Sequence, residues 1–405
     1  MIYWVWAVFK RMAPFKVVTL DDRWDQMNRS FMMPLTMSFA YLIDYGIIAG
    51  STIKCTGFED SFRSEAFVDE YCWTQGIYTL REAYDLENTK IPYPGIIPEG
   101  FPNCMPYERW DGMKVECPKE EQYLKPTRVY HLYYQHIQLY FWLVCTLFYL
   151  PYMVGICLGF NYTKPLINLL HNPLTRDEEE LEALLDKAAR SLRLRLDIYS
   201  DQKSWFDLLY RRHTMLYLLF FIKLQYLGFS VAILGLTQAK FKIGNFVTYG
   251  FEWVGSQVPN GSTYTLVQHK LFPKMAACEI KRWGASGLDV LRGMCVLPQN
   301  VSNSYIFLVF WIFLLLTILG NVIGCILTVK QYLVKSEGYS KLVACTFWND
   351  WNLRHLYWNV GGSGRVILHH LADNLHPCTF EKLIRRYWWL KRNEYVQYNG
   401  HLKTS

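Results

Sequence analysis

The chain has 405 residues, of which 51% are hydrophobic and 17% are aromatic, and its formal net charge is +7. The apolar residues gather in a few long runs, which excludes an ordinary soluble multidomain protein of this length. The basic residues flank these runs, so anionic membrane lipids explain the positive charge and no nucleic-acid partner is expected.

The chain opens with an apolar and aromatic segment, residues 1–9, which contains Trp4 and Trp6 and is followed by Lys10 and Arg11. A secretory signal peptide carries its positive charge before the apolar run, not after it. We therefore expect the segment to be retained. It could line the mouth of a pore or anchor the chain at the lipid interface.

Four apolar stretches come next, each about as long as the roughly 20-residue helix that crosses a bilayer. We assign them to residues 31–50, 128–159, 214–237 and 304–329. Four such stretches in one chain favour membrane spans over buried core helices. The fold class is therefore an all-α membrane protein with four transmembrane helices. Pro151, far along the second stretch, would either bend that helix or mark its end.

Two spans contain an ionisable residue, Asp44 in the first and Lys223 in the third. Such residues are costly in lipid and usually face a cavity or a partner. Asp44 could face a pore, or it could reach water at the end of its helix. Lys223 could pair with Asp44, contact a neighbouring subunit, or extend its amine to the interface.

The charges around the spans predict the orientation of the chain. Basic residues close to span ends stay in the cytoplasm, and they precede the first and third spans and follow the fourth. We therefore expect segments 1–30, 160–213 and 330–405 to be cytoplasmic and segments 51–127 and 238–303 to lie outside. The first outer loop has 8 Lys/Arg against 14 Asp/Glu, and the tail has 11 against 5.

Six of the eleven cysteines fall in the two expected outer loops, where an oxidising environment favours disulfides. Antiparallel loops would join Cys55 to Cys295 and Cys72 to Cys278 and leave Cys104 to pair locally with Cys117. Pairing within each loop is the alternative that spacing leaves open. The other cysteines are expected to be free thiols, and the outer sequons make Asn260 and Asn300 glycosylation candidates.

One further helix is expected between the second and third spans, over residues 175–196. Acidic residues crowd its start and arginines its end, which suits the helix dipole. Its leucine-rich face should pack into an intracellular helical dome with the tail, where Tyr387, Trp388 and Trp389 supply apolar bulk. The sequence GGSG at 361–364 lacks the lysine of a phosphate loop and is interpreted as a flexible turn.

Several short patterns, in this order and in these positions, resemble the innexins, the invertebrate gap-junction proteins. The patterns are Asp21, Asp22, Asp25 and Asn28 before the first span; YGIIAGSTIKC at 45–55; YCW at 71–73; Tyr133, Tyr134 and Gln135; FYLP ending at Pro151; and CVLP at 295–298. His136 departs from the family's Tyr-Tyr-Gln-Trp, and the first outer loop is long and carries Cys104 and Cys117.

The resemblance implies a subunit of a large-pore gap-junction channel or hemichannel in the plasma membrane, with both termini cytoplasmic. It implies short strands in the outer loops and a homo-oligomeric ring, eight subunits in the family, that could mix with related subunits, contact membrane lipids and dock with an opposing ring. It also implies that the N-terminal segment and first span, and so Trp4, Trp6 and Asp44, line the pore.

The alternative is a four-span adhesion or scaffold protein without a conducting pore. An enzyme is not expected, because no nucleophile–base pair, cofactor motif or intramembrane carboxylate cluster stands out. His369, His370, His376 and Cys378 match no familiar zinc spacing, so we predict no metal site.

Overall fold

The structure is a computed structural model that describes residues 22–49, 52–58, 65–80, 107–108, 114–115, 128–158, 163–170, 178–198, 213–240, 245–255, 271–284, 287–346 and 350–402. Its α-helices are α1 Arg23–Gln26, α2 Met33–Ala49, α3 Glu65–Gln75, α4 Ile137–Cys157, α5 Lys164–Leu170, α6 Glu178–Ile198, α7 Thr214–Lys240, α8 Tyr249–Gly255, α9 Pro298–Leu333, α10 Lys335–Thr346, α11 Trp351–Asn359, α12 Gly362–Asn374 and α13 Pro377–Leu402. Its strands are β1 Lys54–Thr56, β2 Ile77–Leu80, β3 Tyr107–Glu108, β4 Lys114–Val115, β5 Arg128–His131, β6 Met275–Gly284 and β7 Gly287–Val296.

Among the residues that the structure describes, three helices are long and apolar enough to cross a membrane, namely α4, α7 and α9. The 36 residues of α9 would extend about 54 Å at 1.5 Å per residue, well beyond a hydrocarbon core of about 30 Å. Pro151 lies inside α4, six residues before its end at Cys157. The helix-end interpretation of this proline is therefore wrong.

The first predicted span has a different construction from the other three. α1 leads into a π-helical segment, Met27–Met32, and this leads into the 17-residue α2. The side chain of Asp22 caps α1 by accepting a hydrogen bond from the Arg23 backbone N–H at 2.7 Å. Helical structure thus begins eight residues before the sequence predicted, because a capped polar turn precedes the apolar run.

The second predicted span, 128–159, began too early. Residues 128–131 form strand β5, Tyr133–Gln135 form a 3₁₀ turn, and α4 begins only at Ile137. The alternating Arg-Val-Tyr-His of β5 pairs with β2 from Ile77↔His131 to Leu80↔Arg128. Residues 128–131 therefore belong to the sheet and not to the membrane-spanning helix to which the prediction assigned them.

The chain divides into two compact units. The tail unit comprises Met1–Met33, Leu147–Ser230 and Thr317–Ser405, and the loop unit comprises Pro34–Thr146 and Val231–Leu316. In the tail unit, the apolar face of α6 packs on α13 in one core with α12, and Leu185, Ala188, Leu192 and Tyr387 are almost fully buried. The predicted packing of this helix against the tail is confirmed, with Tyr387 in the core and Trp388 packed against it, whereas Trp389, also predicted to supply apolar bulk, is 53% exposed.

The predicted flexible turn at 361–364 is wrong. Gly362 begins α12, and Ser363, Gly364 and Arg365 are buried with it. A Cβ on Gly362 would lie 2.5 Å from His213 Nδ1, and one on Gly364 would lie 2.8 Å from the Cβ of Val360. These glycines therefore serve close packing rather than flexibility.

The loop unit contains an antiparallel sheet with strand order β1-β7-β6-β2-β5. β6 and β7 form a hairpin from Met275↔Val296 to Gly284↔Gly287, and β1 pairs with the far end of β7. Segment 51–127, predicted to lie outside, thus supplies β1 and β2, segment 238–303 supplies the hairpin, and β5 comes from the start of the second predicted span. The short strands expected in these loops are present.

Candidate functional site

Two disulfides join the two loops of the loop unit. Cys55 in β1 lies opposite Cys295 in β7, and the two are bonded across the strand register. Cys72 in α3 is bonded to Cys278 in β6. This is the nested pattern that the spacing allowed, and it makes one stapled sheet from segments more than 200 residues apart.

The two disulfides lie side by side. The sulfur atoms of Cys55, Cys72 and Cys295 are all within 4.8 Å of one another. Metal binding by cysteine needs a thiolate, and these sulfurs are oxidised to disulfides. The cluster is therefore structural. Cys145, Cys157, Cys325, Cys345 and Cys378 are free thiols, as predicted.

The Tyr133–Gln135 turn fastens the start of α4 to the end of α3. The Tyr134 hydroxyl donates to the Trp73 carbonyl at 3.2 Å, and the Gln135 side-chain amide donates to the same carbonyl at 2.6 Å. The rings of Trp73 and Tyr134 also pack with centroids 4.4 Å apart. The Tyr133–Gln135 turn therefore holds the start of α4 against α3, the helix that carries Cys72.

The β6–β7 hairpin continues past the residues that the other strands pair. β1 covers only Met294–Val296 of β7, and β2 meets β6 at Ala277. Beyond them the ladder runs on to Gly284↔Gly287, where Trp283 is 85% exposed. A large apolar side chain is thus presented to solvent on a two-stranded ribbon.

A second candidate site lies in the tail unit, where buried polar side chains meet. Lys223 in α7 is 3% exposed, and its amine lies 2.9 Å from Asp25 and 3.5 Å from Asp22. Asp25 is equally buried. A buried ammonium group needs such a partner, because its desolvation costs several kcal/mol. Of the three options left open for Lys223, pairing with Asp44 is replaced by this pairing with the segment before the first span.

Amide groups extend this cluster. Asn28, fully buried in the π-helical segment, exchanges hydrogen bonds with Asn321 of α9 at 2.7 and 3.2 Å. Asn321 also donates to the Ser230 hydroxyl at 2.8 Å and to the Tyr226 carbonyl at 3.3 Å. We call Asp22, Asp25, Asn28, Lys223, Ser230 and Asn321 the polar cluster. It ties the α1 region to both α7 and α9.

Close packing accompanies the polar cluster. A Cβ on Gly320 would lie 2.8 Å from the ring of Trp24, and one on Gly324 would lie 3.0 Å from the Trp24 Cβ. Small residues four apart let another segment approach a membrane helix closely. Trp24 therefore lies against the glycine face of α9.

Asn321, Ser230 and this glycine pair were not among the predicted site residues. Two signals were available: the Gly-x-x-x-Gly spacing within an apolar run, and polar side chains inside predicted spans. Asp22, Asp25 and Asn28 stand out in the sequence only through the family resemblance. Their long-range partners give the physical reason for that pattern.

Other predicted site residues are accounted for as follows. Asp44 is half-buried in α2, beside the exposed Tyr45. Trp4, Trp6, Cys104, Cys117 and Asn260 lie outside the described residues. Asn300 is 1% exposed within α9, and its side-chain amide donates to the Pro273 carbonyl at 2.7 Å. Attachment of a glycan requires that this nitrogen be accessible, so the prediction that Asn300 is glycosylated is wrong. Its side chain instead has a structural role.

Comparison with known proteins gives consistent matches. The innexin family model matches residues 21–389. The chain is 25% identical over 317 residues to innexin shaking-B of Drosophila melanogaster, covering 76% of this chain and 74% of that protein. It is 22% identical over 373 residues to innexin inx4 of the same organism, covering 91% of both. It is 23% identical over 325 residues to innexin inx2 of Schistocerca americana, covering 78% of both.

Proposed function

Because the chain belongs to the innexin family, whose members are gap-junction channel proteins of the plasma membrane and not enzymes, we propose that it is a subunit of a large-pore channel. The channel would pass ions and small molecules either between docked cells or from the cell to the outside. The observation that carries the proposal is the family match, which runs through the apolar helices, the stapled sheet and the polar cluster alike.

The proposed topology has four spans, with α2 as the first and α4, α7 and α9 as the others. Seventeen residues of α2 extend about 26 Å, and the π-helical segment before it adds length. Both termini and the connection that contains α6 would be cytoplasmic. The stapled loops would lie outside, where oxidising conditions preserve their disulfides.

One subunit of four helices is too small to enclose a wide conduit, so the pore would lie on the axis of a ring. We propose a ring of eight copies, either homomeric or mixed with related subunits, surrounded by membrane lipids. Docking of two rings through the outer loops would give a gap junction, and an undocked ring would be a hemichannel.

The proposed pore lining consists of Trp4, Trp6 and Asp44. The polar cluster supports this assignment, because it would fix the base of the N-terminal segment near the inner ends of α7 and α9. Asp44 would add negative charge to the conduit. In the first outer loop we propose a local Cys104–Cys117 pair, and in the second we propose Asn260 as the glycan acceptor.

The test is reconstitution of the purified full-length protein in lipid bilayers. We expect large unitary conductances, and under a salt gradient Asp44→Asn should lower cation preference and shift the reversal potential. Glu70→Gln is the matched control, because it removes an exposed carboxylate of the loop unit. A closed ring that conducts under no tested calcium, pH or voltage would favour the non-conducting scaffold instead.

A further inference from the structure

Helix α8 and the turn before it pack on α9 within the loop unit. The indole N–H of Trp311 donates to the Val247 carbonyl at 3.1 Å, and the Trp311 ring meets the Phe251 ring edge-on with centroids 4.9 Å apart. A Cβ on Gly250 would collide with the same indole ring. One side of α8 therefore covers Trp311, which is only 7% exposed.

The opposite side of α8 contacts α9 nearer to its start. The Tyr249 hydroxyl donates to the Ser304 carbonyl at 3.1 Å, and the rings of Trp253 and Tyr305 have centroids 6.0 Å apart. Ser304 precedes Trp311 by seven residues, which is about 10 Å along a helix and about one helix diameter. Helix α8 therefore lies across α9 rather than along it.

The sides of α8 that α9 leaves uncovered differ in polarity. Phe251 and Val254 are 68% and 66% exposed, and Val247 in the preceding turn is 43% exposed. Residues three and four apart share a helix face, so these three form one apolar stripe, on the side that meets Trp311. The Thr248 hydroxyl donates to the exposed Glu252 carboxylate on a separate, polar stripe.

The apolar stripe lies at a depth that suits a lipid interface. Trp311 is about 10 Å inside the span expected at 304–329, counted along α9. Interfacial helices bury their apolar face roughly 5–10 Å into the boundary between headgroups and acyl chains. Near Trp311, α9 itself exposes further apolar side chains, namely Val309, Ile312 and Leu316. The apolar stripe is therefore continuous with the surface of a helix able to cross the membrane.

We propose that α8 is an interfacial helix in the leaflet next to the loop unit, and that its apolar stripe contacts phospholipid acyl chains. Residues 245–255 contain no lysine or arginine, so attraction to anionic headgroups is not what holds it. Three side chains also offer far less than the roughly 800 Å² per partner of a stable protein interface. The proposal needs α9 to cross the bilayer but needs no pore, so it goes beyond the channel assignment.

The test is photocrosslinking of the full-length protein in phosphatidylcholine bilayers, with p-benzoylphenylalanine as the reactive side chain. Phe251→p-benzoylphenylalanine and Val254→p-benzoylphenylalanine should form phospholipid adducts, detected by mass spectrometry of the peptide that contains them. Leu316→p-benzoylphenylalanine is the positive reference, because Leu316 is 51% exposed on α9. We expect adduct yields at the two stripe positions within about threefold of this reference.

Two matched controls replace exposed side chains of the loop unit outside the apolar stripe. Glu252 is the neighbour of Phe251 on the polar stripe, and Phe67 is an aromatic residue of α3 that is 50% exposed. With p-benzoylphenylalanine at either position, the yield of phospholipid adducts should be at least about fivefold lower than at Phe251.

Adducts at Leu316 but at neither stripe position would overturn the proposal, as would equal yields at Phe251 and Phe67. A crosslink from Phe251 to another copy of the chain would assign the stripe to a subunit contact and overturn the lipid occupant. No adduct at any position, Leu316 included, would overturn the span of α9 and the proposal with it. Conductance of the same bilayers is read separately, so failure of the channel proposal is distinguishable from failure of this one.

Discussion

Lys223 shows how a single intramembrane charge can be assigned a role only when its partners are known. Its amine lies 2.9 Å from a carboxylate oxygen of Asp25, and both residues are only 3% exposed. Such a pair adds little net stability compared with an apolar pair of the same shape. Separating the two charges would leave each of them buried without a partner, at a large cost in free energy. The pair therefore favours one position of α1 over others.

Replacing Lys223 alone should therefore be strongly destabilising. Lys223→Met leaves Asp25 buried without its cation, and we expect a loss of about 3–5 kcal/mol in the free energy of unfolding. The double variant Lys223→Met/Asp25→Asn should recover more than half of that loss, because no charge then remains buried unpaired. Thermal unfolding in detergent gives both values.

The matched control is Lys330→Met, which breaks an exposed pair with Glu337. Surface pairs of this kind contribute less than about 1 kcal/mol. If Lys223→Met and Lys330→Met cost the same, or if the double variant is no better than the single one, the ion pair does not hold α1 in place.

Helix α12 carries the clearest pH dependence at the scale of elements. Burial, with the nearby positive charges of Lys341 and Arg365 secondary, lowers the pKa of His369 to about 3. Burial lowers the pKa of His370 to about 4. In the unfolded chain both titrate near 6.5. Between roughly pH 6.5 and pH 4, both histidines are therefore protonated in the unfolded state and neutral in the folded state.

Stability should be fully present above about pH 6.5 and lost as the pH falls toward 4. For His370 alone, we expect a difference of about 2 kcal/mol between pH 7 and pH 5. His370→Leu should remove the contribution of His370 and leave that of His369, so the pH slope of stability should fall by roughly half while the site stays filled. Thermal midpoints measured across this range test the prediction, with the exposed His376→Leu as control. An equal flattening by His376→Leu would contradict an origin in burial.

The elements that the sequence predicts well are those that one simple pattern governs. Helix α6 followed from its leucine stripe, and the long apolar runs gave α4, α7 and α9. The boundary of α4 did not follow, because four residues are too few for a local strand signal to decide, and long-range pairing with β2 makes 128–131 a strand. Pairing partners of this kind are not visible in the local sequence.

The candidate sites were predictable to different degrees for the same reason. The nested disulfides were one of two patterns that the spacing allowed, whereas the polar cluster depends on contacts such as Asn28 with Asn321, 293 residues apart. Asn300 matched a three-residue glycosylation pattern, but that pattern carries no information about burial.

At the scale of the whole molecule, the loop unit depends on its cross-links. With the Cys55–Cys295 bond in place, the Cys72–Cys278 bond closes a ring made of the two segments 55–72 and 278–295. A cross-link restricts the unfolded chain, and removing a native disulfide typically costs about 2–5 kcal/mol. We expect Cys72→Ala/Cys278→Ala to lose stability in this range and to expose α3 to proteolysis. Non-reducing peptide mapping and thermal unfolding measure both effects.

The control is Cys345→Ala, which removes a free thiol from the tail unit. It should leave the unfolding midpoint and the protease pattern of α3 unchanged. A double cysteine variant that is as stable as this control would mean that sheet pairing alone holds the two loops together.

The same cross-links impose an order on biosynthesis. Cys55 and Cys72 leave the ribosome long before Cys295 and Cys278, since 240 and 206 residues separate the partners. At about 5–20 residues per second, the earlier cysteines wait roughly 10–40 s or more as unpaired thiols beside each other. The nascent chain must avoid a premature Cys55–Cys72 bond during that interval, so its yield should depend on a thiol-exchange catalyst in the compartment where the loops emerge.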